Sequence, residues 1–390
     1  MSRPQLVIAA GKEKAIGRRH PWIFSGAVSR IVGTPAEGDT VDVVDSRGNW
    51  LAVGHFQNES IICKVLSFDT SNVDRAFFEE RLRSAVAYRR TMGFFDISDT
   101  DVFRLVHAEG DFLPGLVCDW YNGVLVMQAH SVGMHRLFPT LAGIFAELLE
   151  GSLRSVFDKS SQTVPGGSED GFIWGEEIPE QEVHEHGIRM MINFFEGQKT
   201  GFFVDQRENR HLVETLARGR RVLNCFGYTG GFSLAALKGG AEYVETVDVS
   251  KKAIELCNRN VELNFGNEPR HCGVMADVLQ YLPTAKGFDL IVLDPPAFAK
   301  NHRSLQQGLK GYRTINRLAM ENITPGGLLL TFSCSQAVSV EDFRTMAFSA
   351  AAIAGRNVRV VRTLPHAADH PVSIYHPEGE YLKGLLLEVE

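Results

Sequence analysis

The second half of this 390-residue chain alternates short apolar runs with longer stretches of helical periodicity. The runs have the length of buried strands and lie at residues 221–225, 243–247, 271–275, 290–293 and 328–331. The helical stretches between them include residues 250–265 and 312–323. This alternation predicts an α/β fold with a doubly wound, mainly parallel sheet. In such a sheet, ligands bind beyond the carboxyl ends of the strands, so the residues after each run are candidates for a functional site.

The first half of the chain shows two other patterns. Residues 1–70 are rich in turns and alternate polar with apolar residues, which predicts a small β-barrel. Residues 71–193 begin with an amphipathic helix at 72–90 and continue with short strands and a second helix near 135–149, which predicts a small α+β domain. We therefore predict three domains, at residues 1–70, 71–193 and 194–390.

Composition narrows the class of protein. The chain is 44% hydrophobic and 22% charged, as in soluble globular proteins, and its apolar runs are too short to span a membrane. Its six cysteines have no C-x-x-C spacing, which argues against a disulfide framework or a bound metal and favours a cytoplasmic location. The net charge of −7 does not indicate nucleic-acid binding, but such binding depends on a local basic surface.

A glycine-rich segment follows the first apolar run and leads into a predicted helix. Glycines let the backbone approach a ligand closely. The segment lacks the G-x-G-x-x-G order of nicotinamide sites and the G-K-[ST] of a P-loop, and taken alone it also fits a tight connection. Its predicted cofactor-binding residues are Phe226, Gly227, Tyr228, Thr229, Gly230 and Gly231.

Three aspartates at the ends of the next strands identify the cofactor. Asp248 is placed to accept hydrogen bonds from ribose hydroxyls, Asp277 to reach an adenine amino group, and Asp294 ends the fourth strand. Carboxylates around the glycine-rich turn would repel the pyrophosphate of a dinucleotide. They therefore favour S-adenosyl-L-methionine as the cofactor.

Two motifs predict the chemistry, Asp294-Pro-Pro-Ala-Phe298 and Thr331-Phe-Ser-Cys-Ser335, because each follows a predicted strand. Carbon 5 of cytosine is a poor nucleophile until a thiolate adds to carbon 6, and Cys334 is the best-placed thiol for this step. The thiolate would need a nearby positive charge or hydrogen-bond donor. Asp294, if protonated or sharing a proton, would hydrogen-bond to ring N3 and stabilise the developing anion. Cys334 also fits the alternative of a small buried residue that ends a strand.

The residues after Asp294 are candidates for substrate binding. Pro295 and Pro296 stiffen the turn, and Phe298 is placed to stack on an extruded base. A basic stretch without acidic residues follows, and within it we predict RNA contacts for Lys300, Arg303 and Arg313.

The chain resembles the RlmI-like family of 23S ribosomal RNA 5-methylcytosine methyltransferases. The likeness rests on the motifs above and extends over essentially the full length. It includes His20-Pro-Trp-Ile-Phe-Ser25, which resembles the start of the family's RNA-binding PUA module. It also includes residues 193–207, 369–372 and 377–384.

The resemblance implies a PUA β-barrel, a central α+β domain and a Rossmann-like class I methyltransferase domain, often in a homodimer. It implies that Cys334 is the nucleophile, that Asp294 contacts the base, and that residues 226–231, Asp248 and Asp277 hold the cofactor. The resemblance also implies that the segment of Lys199 and Thr200 helps to enclose the cofactor. Many RNA 5-methylcytosine enzymes carry a second cysteine after the proline motif, where this chain has Ala297-Phe298, so the base that removes the carbon 5 proton is not assigned.

Two alternative functions fit parts of the sequence. In the first, Asp294-Pro-Pro-Ala-Phe298 would bind the amino group of a guanine or adenine in RNA for N-methylation, without a covalent intermediate. In the second, the chain would only bind RNA, with a vestigial cofactor fold, but the intact glycine-rich loop and strand-end aspartates argue against this.

Overall fold

The computed structural model describes residues 3–164, 169–299 and 301–390, so Lys300 lies outside the described residues. By internal contacts the chain divides into two units. Unit 1 comprises the described residues up to His184 together with Met191–Asp205 and Ala368–Gly379. Unit 2 comprises Glu185–Met190, Gln206–Ala367 and Glu380–Glu390. The predicted domain boundaries near residues 70 and 193 stay predictions.

Unit 1 begins with a mainly antiparallel sheet that has six strands within the described residues, in the order β2-β6-β5-β4-β1-β3. Only β1 and β4 pair in parallel. Alternate residues point inward and form a core that includes Leu6, Val41, Val43 and Val65. The elements are β1 (Gln5–Ile8), α1 (Glu13–Gly17), β2 (Trp22–Phe24), β3 (Val28–Val32), β4 (Thr40–Val44), β5 (Trp50–Phe56) and β6 (Ile61–Ser67).

The rest of unit 1 packs helices against a second sheet, in the order β11-β10-β9-β8-β7. The first helix begins at an Asp74 cap whose side chain accepts from the N–H of Phe77, and it buries Phe78, Leu82 and Val86. The elements are α2 (Arg75–Thr91), β7 (Val102–His107), β8 (Leu116–Tyr121), β9 (Val124–Ala129), α3 (Val132–His135), α4 (Phe138–Leu148), β10 (Ser155–Asp158) and β11 (Gly171–Gly175). The next two strands along the chain, β12 (Glu180–Glu185) and β13 (Ile188–Asn193), form a two-stranded sheet, and residues 185–190 belong to unit 2.

Unit 2 is built on a sheet that has seven strands in the described part of the chain, in the order β16-β15-β14-β17-β18-β20-β19. Strands β14 to β18 pair in parallel, whereas β20 is antiparallel to both of its neighbours. The elements are α5 (Arg207–Leu216), β14 (Arg221–Cys225), α6 (Gly231–Lys238), β15 (Tyr243–Asp248), α7 (Lys251–Phe265), β16 (His271–Met275), α8 (Val278–Tyr281), β17 (Leu290–Leu293), α9 (Leu305–Asn322), β18 (Gly327–Ser333), α10 (Val340–Ala354), β19 (Val358–Thr363) and β20 (Lys383–Val389).

The predicted parallel sheet is confirmed, and each predicted strand of unit 2 overlaps an observed one. Its central strand β17 is apolar throughout because it is buried on both faces. The antiparallel strands β19 and β20 were not predicted. Among the described residues, no helix has the length and apolar character required to cross a membrane.

Candidate active site

Parallel strands of unit 2 end side by side at one edge of the sheet. In the sheet register, Leu293 of β17 is paired with Cys225 of β14 on one side and with Thr331 of β18 on the other. The next residues along the chain, Phe226 and Asp294, therefore open on the same edge. The predicted convergence of the glycine-rich loop and the proline motif is thus present in the fold.

The loop at residues 226–231 turns sharply from β14 into α6. Its backbone φ is positive at Phe226 (60°), Tyr228 (45°) and Gly230 (85°). A side chain at Gly230 would overlap the sulfur of Cys257, so a glycine is required there for packing as well as for φ. The loop therefore lies close against α7 and presents main-chain atoms at the strand edge.

Asp248 ties this loop to the start of α7. Its carboxylate accepts hydrogen bonds from the backbone N–H groups of Tyr228, at 3.0 Å, and Ser250, at 2.8 Å. A carboxylate has about four acceptor positions, so two backbone bonds leave capacity for hydroxyl donors. The half-buried Asp248 is thus held in a fixed orientation beside the loop, which fits the predicted contact with ribose hydroxyls.

Asp277 does not end its strand as predicted. Strand β16 ends at Met275, and the side chain of Asp277 caps α8 by accepting a hydrogen bond from the N–H of Gln280 at 3.1 Å. The local sequence favours the cap because an aspartate in extended conformation satisfies a helix N–H that has no other partner. Asp277 remains exposed, and its contact with adenine stays a prediction.

Asp294 has a polar partner that the sequence did not reveal. The amide of Gln206 donates to Oδ1 of Asp294 at 3.1 Å, and the amide oxygen of Gln206 accepts from Asn209 at 2.6 Å. Gln206 and Asn209 are buried, so this chain of hydrogen bonds orients the carboxylate. Gln206 lies within the motif at residues 193–207, but its spacing from Asp294 in sequence gives no signal of contact.

The segment that contains Cys334 is joined to the segment after Asp294 through Ser335. The hydroxyl of Ser335 accepts a hydrogen bond from the N–H of Ala299 at 3.2 Å and lies 2.8 Å from the hydroxyl of Tyr312. Tyr312 also accepts from the N–H of Phe298 at 3.3 Å. The two predicted motifs therefore form one hydrogen-bonded structure, with Cys334 half-buried directly after the end of β18.

Burial raises the pKa of Tyr312, so its phenol remains a neutral hydroxyl. The ring of Tyr312 packs against that of Phe298, with centroids 4.7 Å apart, and Phe298 meets Phe226 edge-on at 6.3 Å. Phe298 is half-buried in this packing. Its role in stacking on a base stays a prediction.

A buried cation, Lys383, lies next to the Cys334 segment. Its Nζ donates to the carbonyl oxygens of Ser335, at 2.7 Å, and Tyr381, at 2.6 Å. Burial lowers the pKa of Lys383 to about 8. No local sequence pattern places this residue at the site, because the antiparallel pairing of β20 with β18 brings it there from almost 50 positions away.

The other predicted substrate residues differ in exposure. Pro295 is buried and Pro296 is exposed, while Arg303 is exposed before α9 and Arg313 is half-buried within that helix. Their contacts with RNA stay predictions.

Lys199 and Thr200 belong to unit 1. Lys199 is exposed and has a positive φ of 55°. Thr200 is buried, donates to Asp119 at 2.5 Å and lies 3.0 Å from the hydroxyl of Tyr121. The side chain of Thr200 thus has structural partners in its own unit, and the predicted role of both residues at the cofactor stays a prediction.

The other five cysteines differ in exposure. Cys63, Cys118, Cys225 and Cys257 are buried, and burial raises the pKa of Cys257 to about 12. Cys272 on β16 is exposed. Its exposure makes it a matched control for Cys334 in thiol chemistry.

Comparison with known proteins agrees with this architecture. Residues 103–352 match a family model described as S-adenosylmethionine-dependent methyltransferase, and residues 6–68 match a PUA-like domain. The chain is 39% identical to the ribosomal RNA large subunit methyltransferase I of Cronobacter sakazakii over 396 residues, which cover 99% of each chain. It is also 39% identical over 400 residues to the protein of that name from Escherichia coli O139:H28, again over 99% of each chain.

Solved structures share the fold over the whole chain. A chain from Streptococcus mutans described as a SAM-dependent methyltransferase superposes with a TM-score of 0.86 at 20% identity, covering 99% of this chain and 100% of its own. A methyltransferase solved in complex with SAH superposes with a TM-score of 0.87 at 22% identity, with the same coverage. The predicted fold class is thereby confirmed, and the match to the family model of S-adenosylmethionine-dependent methyltransferases confirms the predicted cofactor.

Proposed function

Because the chain belongs to the family of S-adenosylmethionine-dependent methyltransferases that carry a PUA-like domain, we propose that it methylates carbon 5 of a cytosine in 23S ribosomal RNA. In this proposal the reaction proceeds through a covalent adduct of the base with Cys334. Support for an RNA substrate comes from the relatives, which are named as ribosomal RNA large subunit methyltransferases, and from the PUA-like domain.

The observation that carries the covalent mechanism is the hydrogen-bonded link between the two motifs. Ser335 joins Ala299, which follows the proline motif, to the segment of Cys334. Asp294 and Cys334 follow neighbouring parallel strands at the same sheet edge. A carboxyl group and a thiol in one site are the pair of groups that the addition to a pyrimidine requires.

The residues have defined parts in the reaction. The thiolate of Cys334 forms a bond to carbon 6, and the electron pair of the C5–C6 double bond moves toward N3, where a proton shared with Asp294 stabilises the developing negative charge. S-adenosylmethionine supplies the methyl group for carbon 5. Loss of the carbon 5 proton, to water or Asp294, then returns the electron pair to the C5–C6 bond and releases the thiolate of Cys334.

The cofactor would be held by the loop at residues 226–231 and by Asp248. The chemistry of this cradle fits the group, since a fixed carboxylate accepts ribose hydroxyls and glycine-containing backbone allows close approach. Gln206 orients Asp294 by donating a hydrogen bond to its carboxylate.

The test is methyl transfer from labelled S-adenosylmethionine to ribosomal RNA, followed by identification of the methylated nucleoside. We expect 5-methylcytosine with the wild type and a loss of at least about 1000-fold in Cys334→Ala, because no other route activates carbon 5. Cys272→Ser is the matched control, since it removes an exposed thiol and should leave the rate unchanged.

RNA that contains 5-azacytosine provides an independent readout. The proposal predicts that this RNA becomes covalently attached to the wild type and to Cys272→Ser, but not to Cys334→Ala. Methylation of a guanine or adenine that persists in Cys334→Ala would reject the proposal in favour of N-methylation without a covalent intermediate.

A further inference from the structure

Lys383 occupies an unusual position for a lysine. It is the first residue of β20 and is paired with Ser333 of β18, immediately before Cys334. Its relative exposure is 6%, whereas lysine is rarely buried without a partner. The backbone pairing and the burial together direct the ammonium group to the segment that contains the nucleophile.

Two carbonyl oxygens hold the ammonium in place. Ser335 and Tyr381 accept hydrogen bonds from Nζ at 2.7 and 2.6 Å. Both acceptors are neutral, so they orient the positive charge without cancelling it. An ammonium has three N–H donors, and the third can serve an anion nearby.

The charged and titratable groups around the Cys334 thiol and this ammonium come from three elements. Cys334 follows β18, Tyr312 lies on α9, and Glu380 precedes β20. Burial lowers the pKa of Lys383, while negative charge on Cys334 and on Glu380 acts in the opposite direction. Tyr312 is neutral because burial raises its pKa, so Lys383 is the group of this set that supplies positive charge.

We propose that Lys383 is the fixed positive charge that stabilises the thiolate of Cys334. It is a positioning residue, because it acts through the nucleophile and does not need to touch the substrate. This inference rests on the proposed function, in which Cys334 is the nucleophile. It supplies the positive charge that the thiolate requires.

The geometry favours this role over that of a base for the carbon 5 proton. A base must direct a lone pair at the substrate, whereas the Nζ of Lys383 donates to two backbone carbonyls, and those acceptors favour the ammonium form. In the reaction, the thiol proton leaves to solvent before the sulfur–carbon bond forms. The same ammonium then stabilises the thiolate when the bond breaks.

The test measures the rate at which iodoacetamide alkylates Cys334 as a function of pH, in a Cys272→Ser background and without RNA. The remaining cysteines are buried, so the signal belongs to Cys334. With Lys383 present, the midpoint of the pH profile should lie below the pKa of a free cysteine thiol, which is about 8.5. Lys383→Met should raise the midpoint by about 1–2 pH units, and Lys383→Arg, which keeps the charge, should restore most of the difference.

Methyl transfer gives a second readout. At pH 7 the rate of Lys383→Met should fall about 10–100-fold and should recover as the pH rises, because the thiolate then forms without the cation. Damage to the structure alone would not be reversed by pH. S-adenosylmethionine binding and circular dichroism check that each variant is folded.

The outcomes separate this inference from the function on which it rests. A wild-type midpoint at or above that of a free thiol overturns the role of Lys383, even if Lys383→Met does not fold. An unchanged midpoint in folded Lys383→Met also overturns it. If Cys334→Ala still methylates RNA, the proposed function fails, whatever the alkylation profile shows.

Discussion

The hydroxyl groups of Ser335 and Tyr312 lie 2.8 Å apart, and both residues are buried. Ser335 directly follows Cys334, the candidate nucleophile. Tyr312 lies on α9, which packs against the proline motif. Because both hydroxyls also accept hydrogen bonds from backbone N–H groups of residues 298 and 299, this pair determines how the two motifs face each other.

Removal of the Tyr312 hydroxyl tests the pair. Tyr312→Phe keeps the ring packing but removes the hydrogen bonds to Ser335 and Phe298, so we expect a loss of about 1 kcal/mol in the free energy of unfolding. The rate of methyl transfer at saturating substrate should fall about 10-fold, with little change in KM. Tyr243→Phe is the control, since it loses a hydroxyl contact with Glu245 at the opposite end of the sheet. Equal rates in the two variants would contradict the role of Tyr312.

The contact between Gln206 and Asp294 leads to a second prediction. Gln206→Glu places a second carboxylate 3.1 Å from Asp294 in place of an amide donor, so one of the two should bind a proton near neutral pH. Methyl transfer should fall more in this variant than in Gln206→Met, which has similar length and no charge. Initial rates at pH 7 check this, and a larger loss in Gln206→Met would contradict the prediction, because it would show that losing the hydrogen bonds of Gln206 matters more than adding a charge.

Comparing a glycine of the cofactor loop with a second glycine of the same φ separates the cost of backbone strain from the cost of steric overlap. Gly230 and Gly240 both have a φ of +85°, but a side chain at Gly230 would overlap Cys257, whereas the nearest atom at Gly240 is 4.0 Å away. Gly240→Ala should cost about 1–2 kcal/mol of stability, with normal S-adenosylmethionine affinity. Gly230→Ala should cost more and should weaken cofactor binding at least 10-fold. Calorimetry and urea unfolding followed by circular dichroism measure both effects.

Unit 1 should lose stability in mild acid. Burial is the main cause that lowers the pKa of both His55 and His130 from 6.5 to about 4. Between pH 6.5 and 4 the unfolded chain therefore binds more protons than the folded chain, so stability falls as the pH decreases through this window and is retained at pH 7. Each histidine contributes about 1.4 kcal/mol for each unit of pKa difference.

Tryptophan fluorescence measures this effect specifically, because Trp22, Trp50, Trp120 and Trp174, the four tryptophans of the chain, belong to unit 1. The urea midpoint should decrease from pH 7 to pH 5, and less steeply in His55→Leu. His302→Gln, at an exposed position in unit 2, should behave as the wild type. A midpoint independent of pH would contradict the prediction.

The proposed RNA contacts of Arg303 and Arg313 can be measured by their salt dependence. Each phosphate contact contributes about 0.7–0.9 to the slope of log affinity against log salt concentration. The double variant Arg303→Gln, Arg313→Gln should bind RNA at least 10-fold more weakly, with a slope reduced by about 1–2. Arg344→Gln, which removes an exposed arginine from α10, is the control. S-adenosylmethionine affinity should be the same in all three proteins.

The amino-acid pattern alone predicts the strand–helix alternation of unit 2. It also predicts that Asp294 and Cys334 each follow the end of a strand. Apolar runs indicate strands that are buried on both faces of a sheet, and parallel strands place their carboxyl ends at one edge. The alternation and the strand-end positions can therefore be predicted from periodicity. Asp277 was placed incorrectly at its strand end because capping of the short helix α8 ends the extended segment two residues earlier.

The groups that surround Asp294 and Cys334 are set by long-range contacts, which only the folded structure shows. Gln206 reaches Asp294 across 88 positions, and Lys383 reaches the carbonyl of Ser335 across 48. Strand β20 pairs antiparallel with β18 over a long sequence separation, and no local sequence pattern specifies which strand will be its neighbour. The sequence could indicate that a thiolate there requires a positive charge, but only the strand pairing identifies the lysine that lies close enough to supply it.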